Sequence, residues 1–188
     1  MPNYSEKKPR AYRPNQILPK WRKLQLNEQR IEQDQAARIQ TLSADPVEFF
    51  KQILDFTPFT YQEEFARLFT ENQFTAARWC RQSGKTILIS ALLLWYAVTH
   101  ENSQIAIVGP SWRQTKRILT RIAQFTRKLP PNTAFKPQRT KIHFTNNSTI
   151  EAFPNNPETI RGPSFNIVYC DELNFVANDQ DLYDAILY

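Results

Sequence analysis

Hydrophobic positions along the chain form short apolar segments whose spacing predicts alternating helices and strands. The run "TILISALLLWYAVTH" (86–100) is apolar enough for a buried helix, and residues near 112–128 have the periodicity of an amphipathic helix. The run "QIAIVG" (104–109) predicts a strand, and "KIHF" (141–144) and "TIEAF" (149–153) flank "TNNS" as a hairpin. This alternation predicts an α/β domain with a mainly parallel sheet flanked by helices.

Two more segments complete the predicted sheet. "FTAARW" (74–79) is a strand candidate that runs into "RWCRQSGKT" (78–86), and "FNIVYCDEL" (165–173) is an apolar run that closes on two acids. Both predicted strands therefore end at polar residues that can carry chemistry.

Helix starts upstream of these strands follow capping rules. In "DPVE", Asp45 is the predicted cap, Pro46 takes the first helical position, and Glu48 is the capping-box partner. "TYQEEFARLF" (60–69) repeats the device with Thr60 and Glu63.

Residues 1–44 differ in composition from the rest and predict a basic N-terminal arm. The first twenty residues are charged and rich in proline, which predicts disorder, whereas 21–42 consists of strong helix formers. The arm is either a solvated helix on a flexible tail or a docking arm for a partner or DNA. Residues 45–188 are the predicted globular domain.

Composition narrows the cellular setting. The chain has 188 residues, 41% of them hydrophobic, and a net charge of +6, which permits contact with a polyanion without requiring it. No apolar run is long enough to span a membrane, and the N-terminus lacks the apolar region of a signal peptide. Two cysteines suggest a reducing compartment. We expect a cytoplasmic protein that is not secreted.

The end of "RWCRQSGKT" has the residues of a phosphate-binding loop. Gly84, Lys85 and Thr86 would start a helix, whose N–H groups and dipole attract an anion. In that chemistry the lysine reaches the β- and γ-phosphates, and the threonine hydroxyl binds Mg²⁺. The first glycine of the usual G-x-x-x-x-G-K-[ST] pattern is absent, since Trp79 stands in its place. Alone, three such residues are weak evidence.

The segment "IVYCDE" (167–172) strengthens the case because it has the Walker B pattern. A buried strand would deliver Asp171 to a metal ion and Glu172 to the attacking water. Two adjacent acids at the mouth of a buried strand repel each other, and a cation there relieves that cost. The alternative is an ordinary surface loop after a strand.

Several motifs together resemble the large terminase subunits of tailed bacteriophages, the ATPases that pump DNA into procapsids. "CRQSGKT" is similar to the family's phosphate loop, in which a basic residue four positions before the lysine replaces the first half of the usual pattern. "TPFTYQEEF" (57–65) is similar to its adenine-recognition segment. "NNSTIEAFPNNPETIRGPSFNIVYCDELNFV" (146–176) resembles its hairpin, Arg-Gly turn and Walker B strand. The resemblance covers about 45–180.

The resemblance implies ATP and Mg²⁺ as ligands and assigns catalytic roles. Glu172 would orient the lytic water, and Arg81 would act as an arginine finger in cis on the γ-phosphate. Arg161 would reach a neighbouring subunit's nucleotide or clamp a phosphate or carboxylate within its own turn. Asp171 and Thr86 would hold the metal.

The nucleotide-binding residues implied by the resemblance are Tyr61, Gln62, Gln82, Ser83, Gly84, Lys85 and Thr86. Gln62 has an amide that can pair with the adenine edge. It can equally be a polar residue in the first turn of a helix.

The resemblance also implies a P-loop fold of the additional-strand type, and here the sequence departs from the family. Members carry a further strand with a coupling element between the two catalytic strands, and then a nuclease domain. Neither occurs within these 188 residues. We therefore interpret the chain as the N-terminal part of a longer packaging ATPase, with a sheet that is incomplete at the C-terminus. Without the coupling strand, the two catalytic strands would leave a gap or pair directly, and in either case we expect this chain alone to be a poor ATPase.

The implied function is ATP-driven translocation of double-stranded DNA. Family partners would be the small terminase subunit, the portal protein and further copies in a ring on the procapsid, with no membrane. Two alternatives stay open: a helicase-like ATPase dependent on nucleic acid, and a non-catalytic nucleotide-binding or procapsid-docking module.

Overall fold

The computed structural model describes residues 19–154, 156–160, 164–173, 180–181 and 184. Six helices are assigned in these ranges: α1 (Lys20–Thr41), α2 (Pro46–Gln52), α3 (Thr60–Glu71), α4 (Lys85–Thr99), α5 (Trp112–Phe125) and α6 (Pro157–Ile160). Four strands accompany them: β1 (Gln104–Val108), β2 (Lys141–His143), β3 (Thr149–Phe153) and β4 (Ile167–Cys170). A 3₁₀ turn, Thr126–Lys128, continues α5.

The four strands form one mixed sheet in the order β2-β3-β1-β4. β1 lies between β3 and β4 and is parallel to both, whereas β2 pairs antiparallel with β3 as the predicted hairpin. β1 is central and buried over nearly its whole length, which explains its continuous apolar run. The α/β prediction is confirmed: the sheet is mixed, with two parallel pairings and one antiparallel pairing at the predicted hairpin.

Helices α4 and α5 pack against each other on one face of the sheet and build the main core. α4 is buried on almost every side because α1, α2 and α5 cover the surface that the sheet does not. The sheet contributes Ile105, Ile107 and Ile150 to this core. On the opposite face, Val108 and Ile160 form a smaller cluster, against which Cys170 packs.

Among the described residues, the N-terminal helix α1 packs into the core at its C-terminal end. Ile39 and Leu42 are buried, and the Trp95 indole donates a hydrogen bond to the Leu42 carbonyl at 3.0 Å. Upstream, Leu24 and Ile31 are about half exposed. The helix predicted over 21–42 is confirmed, and residues 1–18 lie outside the described ranges.

The strand predicted at 74–79 is wrong. Residues 75–80 have no assigned secondary structure, most of them are exposed, and β4 pairs with β1 alone among the described strands. A strand needs a neighbouring strand that pairs with its backbone N–H and C=O groups. Among the described residues, no strand pairs with the outer edge of β4, so the segment is not part of the sheet. The sequence predicted either a gap between this segment and β4 or direct pairing of the two. Direct pairing is excluded, and the segment lies outside the sheet.

Helix capping also differs from the prediction. Asp45 caps α2 as expected, accepting from the Val47 and Glu48 backbone N–H groups, but the Glu48 side chain accepts from Gln52 instead of closing a capping box. At α3 the cap position is Phe59, and Glu63 pairs with Lys51 at 3.1 Å.

No helix among the described residues combines the length and the apolar character needed to cross a bilayer.

Candidate functional site

The loop between the extended segment and α4 has two left-handed residues, a backbone compatible with an anion-binding concavity. Gln82 (φ +60°) and Gly84 (φ +73°) are both left-handed, and such residues in alternation with right-handed ones direct successive N–H groups to one side. Gly84 is required by its φ and by space, since a Cβ there would lie 2.7 Å from Gln62 Nε2. No side chain caps α4, which leaves its first N–H groups for an anion.

Helix α3 holds this loop through two side chains that converge on one carbonyl. The Tyr61 hydroxyl donates to the Ser83 carbonyl at 2.8 Å, and Gln62 Nε2 donates to the same oxygen at 3.3 Å. Gln62 Oε1 accepts from the Phe59 N–H at 2.9 Å, which is the hydrogen bond that caps α3. Gln62 is only 1% exposed. Both ends of its amide are therefore engaged within the protein.

Aromatic contacts anchor the segment that leads into the loop. Trp79 lies edge-on to Tyr61 and to Phe65, with ring centroids 5.8 and 5.3 Å apart. Phe59 stacks on Tyr61 and is 67% exposed. These contacts leave Trp79 only partly exposed, whereas Cys80 is exposed. Side-chain packing on α3 thus takes the place of strand pairing in fixing the loop.

Lys85 and Asp171, which the sequence predicts as the phosphate-loop lysine and the Walker B aspartate, contact each other directly. Lys85 Nζ lies 2.8 Å from Asp171 Oδ1, and the Tyr169 hydroxyl donates to the same oxygen at 3.0 Å. Residues two apart in a strand share a face, so β4 directs Tyr169 and Asp171 toward the N-terminus of α4. Burial, and then the neighbouring Asp171 carboxylate, raise the pKa of Tyr169 far above its ordinary value, so it remains a donor.

The second acid, Glu172, contacts a residue outside the recognised motifs. Its backbone is left-handed (φ +51°), and its Oε2 accepts from Gln114 Nε2 in the first turn of α5. β1 and β4 are parallel neighbours, so their carboxyl ends, and the residues that follow them, meet at one edge of the sheet. Gly109 permits the close approach, since a Cβ there would meet Thr115 at 3.1 Å and Asp171 at 3.7 Å.

The oxygen ligands at this edge suit magnesium. Thr86 offers an exposed hydroxyl, and Asp171 offers a carboxylate. No group of three or more His, Cys, Asp or Glu side chains able to hold a metal occurs in the described ranges. Magnesium commonly takes one or two protein oxygens and completes its shell with phosphates and water, so the small donor set fits that ion.

The sequence-predicted residues divide into four groups. Tyr61, Gln62, Ser83 and Gly84 meet at the loop, while Lys85, Asp171 and Glu172 meet at the sheet edge. Arg81 and Gln82 are exposed, and Arg81 forms no ion pair with any residue that the structure describes. Arg161 lies outside the described residues.

One loop atom fits a ligand better than it fits the protein. Ser83 Oγ is buried and has no hydrogen-bond partner among the described residues. A buried hydroxyl without a partner is uncommon in folded proteins. Its place in the concavity makes it a candidate contact for a bound phosphate.

Sequence reasoning missed Gln114 and Tyr169. Tyr169 could have been found from its spacing to Asp171, because alternate strand residues share a face. Gln114 could be found only once the order of the strands in the sheet was known. Only the pairing of β1 with β4 brings the turn after β1 beside Glu172.

A groove of about 530 Å³ adjoins the site along α5. The sequence did not predict it. It begins at Thr86 and is lined by cationic and polar side chains of the helix: Arg113, Lys116, Arg117, Thr120, Arg121 and Gln124. None of these cations forms an ion pair with a residue in the described ranges. The buried face of the same helix packs into the core.

Solved structures with the same fold define the class of the domain. The "Thermus Phage P74-26 Large Terminase ATPase domain" superposes with a TM-score of 0.59 at 19% identity, covering 74% of this chain and 63% of that chain. An arginine-to-alanine variant of that domain gives a TM-score of 0.58, covering 74% and 64%. The chain thus has the α/β fold of a phage large-terminase ATPase domain and spans a little under two thirds of those structures.

The family model described as "Terminase large subunit, T4likevirus-type, N-terminal" matches residues 79–186. This range is more than half of the chain and contains the phosphate loop, the hairpin and β4. The chain belongs to the terminase large-subunit family, and the resemblance drawn from its motifs is confirmed.

Proposed function

We propose that this chain binds Mg-ATP at the edge formed by α4, β1 and β4 and hydrolyses it to drive DNA movement into a procapsid. The observation that carries the proposal is the contact between Lys85 and Asp171 at 2.8 Å. It joins the two motifs expected to act on one nucleotide. The fold similarity and the family membership support the same reading.

The roles of the residues follow from their positions. Lys85 supplies a positive charge to the β- and γ-phosphates, which rest against the N–H groups of the loop and of α4. Thr86 and Asp171 are the proposed magnesium ligands, and the ion, when bound, supplies Lewis-acid stabilisation of the phosphates. Glu172 accepts a proton from a water whose oxygen attacks the γ-phosphorus, while the bond to the β–γ bridging oxygen breaks and ADP leaves.

Arg81 is the proposed finger in cis. It lies at the solvent-facing start of the loop, and no ion pair with another described residue holds it elsewhere. A guanidinium that reaches the γ-phosphate stabilises charge that develops in the transition state. The role of Arg161 stays a prediction from the resemblance, because its turn lies outside the described residues.

The adenine site is proposed beside the start of α3. Phe59 and Tyr61 present a stacked and partly exposed aromatic surface next to the loop, which suits contact with a purine ring. The Gln62 amide already bonds Phe59 and Ser83, so a hydrogen bond to adenine would require it to exchange these partners. We therefore assign Gln62 chiefly to holding the loop and the aromatic pair to the base.

The cationic groove on α5 favours a nucleic acid partner. Arg113 and Arg121 are eight residues apart, about 12 Å along the helix at about 1.5 Å per residue. Each strand of duplex DNA carries one phosphate per about 3.4 Å of helix axis, so the row matches a stretch of about three to four phosphates on one strand. The small terminase subunit, the portal protein and a ring of copies are the further partners proposed from family membership.

Phosphate release measured with and without duplex DNA tests the proposal. The wild-type chain should hydrolyse Mg-ATP, and Glu172→Gln should bind ATP normally while turning over about 100-fold more slowly, the scale for losing a general base. Dependence on single-stranded nucleic acid would instead favour a helicase-like ATPase. Nucleotide binding without turnover in the wild type would favour the non-catalytic module and refute the hydrolytic proposal.

A further inference from the structure

Gln114 donates a side-chain hydrogen bond to Glu172, and no other side chain in the described part of the chain does so. Its Nε2 donates to Glu172 Oε2, and its Oε1 accepts from the Ser111 hydroxyl at 2.9 Å. The carboxylate determines which end of the amide faces it, because an ionised carboxylate only accepts hydrogen bonds and therefore takes Nε2; Oε1 then accepts from the serine hydroxyl, which can donate or accept. The three side chains thus form a directed series of hydrogen bonds.

The first turn of α5 is held firmly enough to make this contact specific. Ser111 is the extended residue before the helix, and Thr115 in the first turn is fully buried. The Thr115 hydroxyl donates to the Trp112 carbonyl at 3.2 Å, and its methyl group packs close to Gly109. Gln114 therefore extends from a fixed turn toward the acids that follow β4.

Glu172 needs such a restraint. Its backbone is left-handed, a conformation that a glutamate adopts only at a cost in free energy. Glu172 also directly follows the buried Asp171 and is itself only partly buried. A general base must be held in a narrow range of positions to act on a water aligned with a phosphorus atom. Nothing in the phosphate loop itself contacts this carboxylate among the described residues.

We propose that Gln114 is a positioning residue that orients the Glu172 carboxylate for catalysis. With Oε2 occupied by the amide, Oε1 is the oxygen that takes the proton of the attacking water. This inference rests on the proposed function, since it assumes that Glu172 is the base. It extends the catalytic apparatus to α5, the helix that also carries the cationic groove.

Two variants of similar shape test the role in the full chain. Gln114→Met keeps length but removes the donor, and Gln114→Glu places a second carboxylate against Glu172. We expect turnover to fall by about 10- to 100-fold for methionine, the scale for a small misplacement of a reacting group, and further for glutamate, with ATP affinity and melting temperature unchanged. Gln73→Met, at an exposed glutamine outside the site and the cationic groove, is the matched control.

The double variant separates positioning from packing. In a Glu172→Gln background, Gln114→Met should cause little further loss of turnover, because both changes act through one carboxylate. The proposal would be overturned if the fold-losses in turnover of the two single variants multiplied in the double variant. It would also be overturned if Gln114→Met alone turned over at the wild-type rate.

A measurement without turnover keeps this proposal distinct from the proposed function. The side-chain amide resonance of Gln114 should shift in Glu172→Ala and stay in place in Asp181→Ala, an exposed acid elsewhere. A wild-type chain that does not hydrolyse ATP would refute the proposed function. If the Gln114 amide resonance does not shift in Glu172→Ala, the contact between Gln114 and Glu172 is refuted, whatever the turnover.

Discussion

Replacing Gln62 by leucine tests whether this residue holds the phosphate loop or recognises the base. Leucine fills a similar volume, so the main loss is two hydrogen bonds, one from the Phe59 N–H and one to the Ser83 carbonyl. The Ser83 carbonyl keeps its bond from the Tyr61 hydroxyl, and the Phe59 N–H is only partly buried. At about 0.5–1.5 kcal/mol for each bond, we expect unfolding to become about 1–3 kcal/mol easier.

Thermal unfolding without nucleotide measures this loss. A protein of this size loses roughly 2–4 °C in melting temperature per kcal/mol, so Gln62→Leu should melt roughly 2–12 °C below wild type. Gln73→Leu is the control, since Gln73 is exposed and has no recorded hydrogen bond to a described residue. Combining Gln62→Leu with Tyr61→Phe removes both donors to Ser83 and should cost more than the sum of the single changes.

Nucleotide selectivity gives the result that would refute this reasoning. If Gln62→Leu melts at the wild-type temperature and loses its preference for ATP over GTP, the side chain reads the adenine edge and does not hold the loop. A lowered melting temperature with unchanged preference for ATP supports the structural role. Loss of both would mean that the two roles share one amide.

Three further outcomes are expected. Lys85→Ala should weaken Mg-ATP binding by about tenfold or more in calorimetry, because it removes the charge on the β- and γ-phosphates, and equal affinities would refute the phosphate-loop assignment. Arg81→Lys should lower turnover more than affinity, since the charge stays and the planar fork is lost; a fall in affinity alone would make Arg81 a ground-state binder. Burial raises the pKa of Cys170 to about 11, so at pH 8 iodoacetamide should label Cys80 at least about tenfold faster, and equal rates in the folded chain would contradict the packing of β4.

The elements that local pattern determines were predicted well. α4, α5 and the hairpin of β2 and β3 lie where periodicity and turn residues placed them. Gly84 is the residue before α4, and Lys85 is the first residue of the helix. The left-handed backbone of Gly84 separates the loop from the helix. The motif residues meet because the carboxyl ends of parallel strands share one edge.

The features that the sequence did not reveal depend on neighbours distant in the chain. Segment 74–79 has the composition of a strand, but a strand forms only beside a partner, and no described strand reaches it. Gln62 caps α3 because Ser83 and the loop enclose it, whereas capping statistics favoured Thr60 with Glu63. Gln114 is one polar residue among several in α5, and only the strand order marks it.

The contact of Lys85 and Asp171 has a consequence for the form in which the proposed nucleotide arrives. Each side chain neutralises the other before any ligand binds. Metal-free ATP would draw the ammonium away and leave Asp171, which is buried and beside Tyr169, facing a polyphosphate of the same sign. A nucleotide that brings its own divalent cation exchanges one counterion for another at the carboxylate and frees the lysine for the phosphates. The ion pair would therefore select the metal-loaded nucleotide over the bare one, a discrimination made by charge exchange before any chemistry begins.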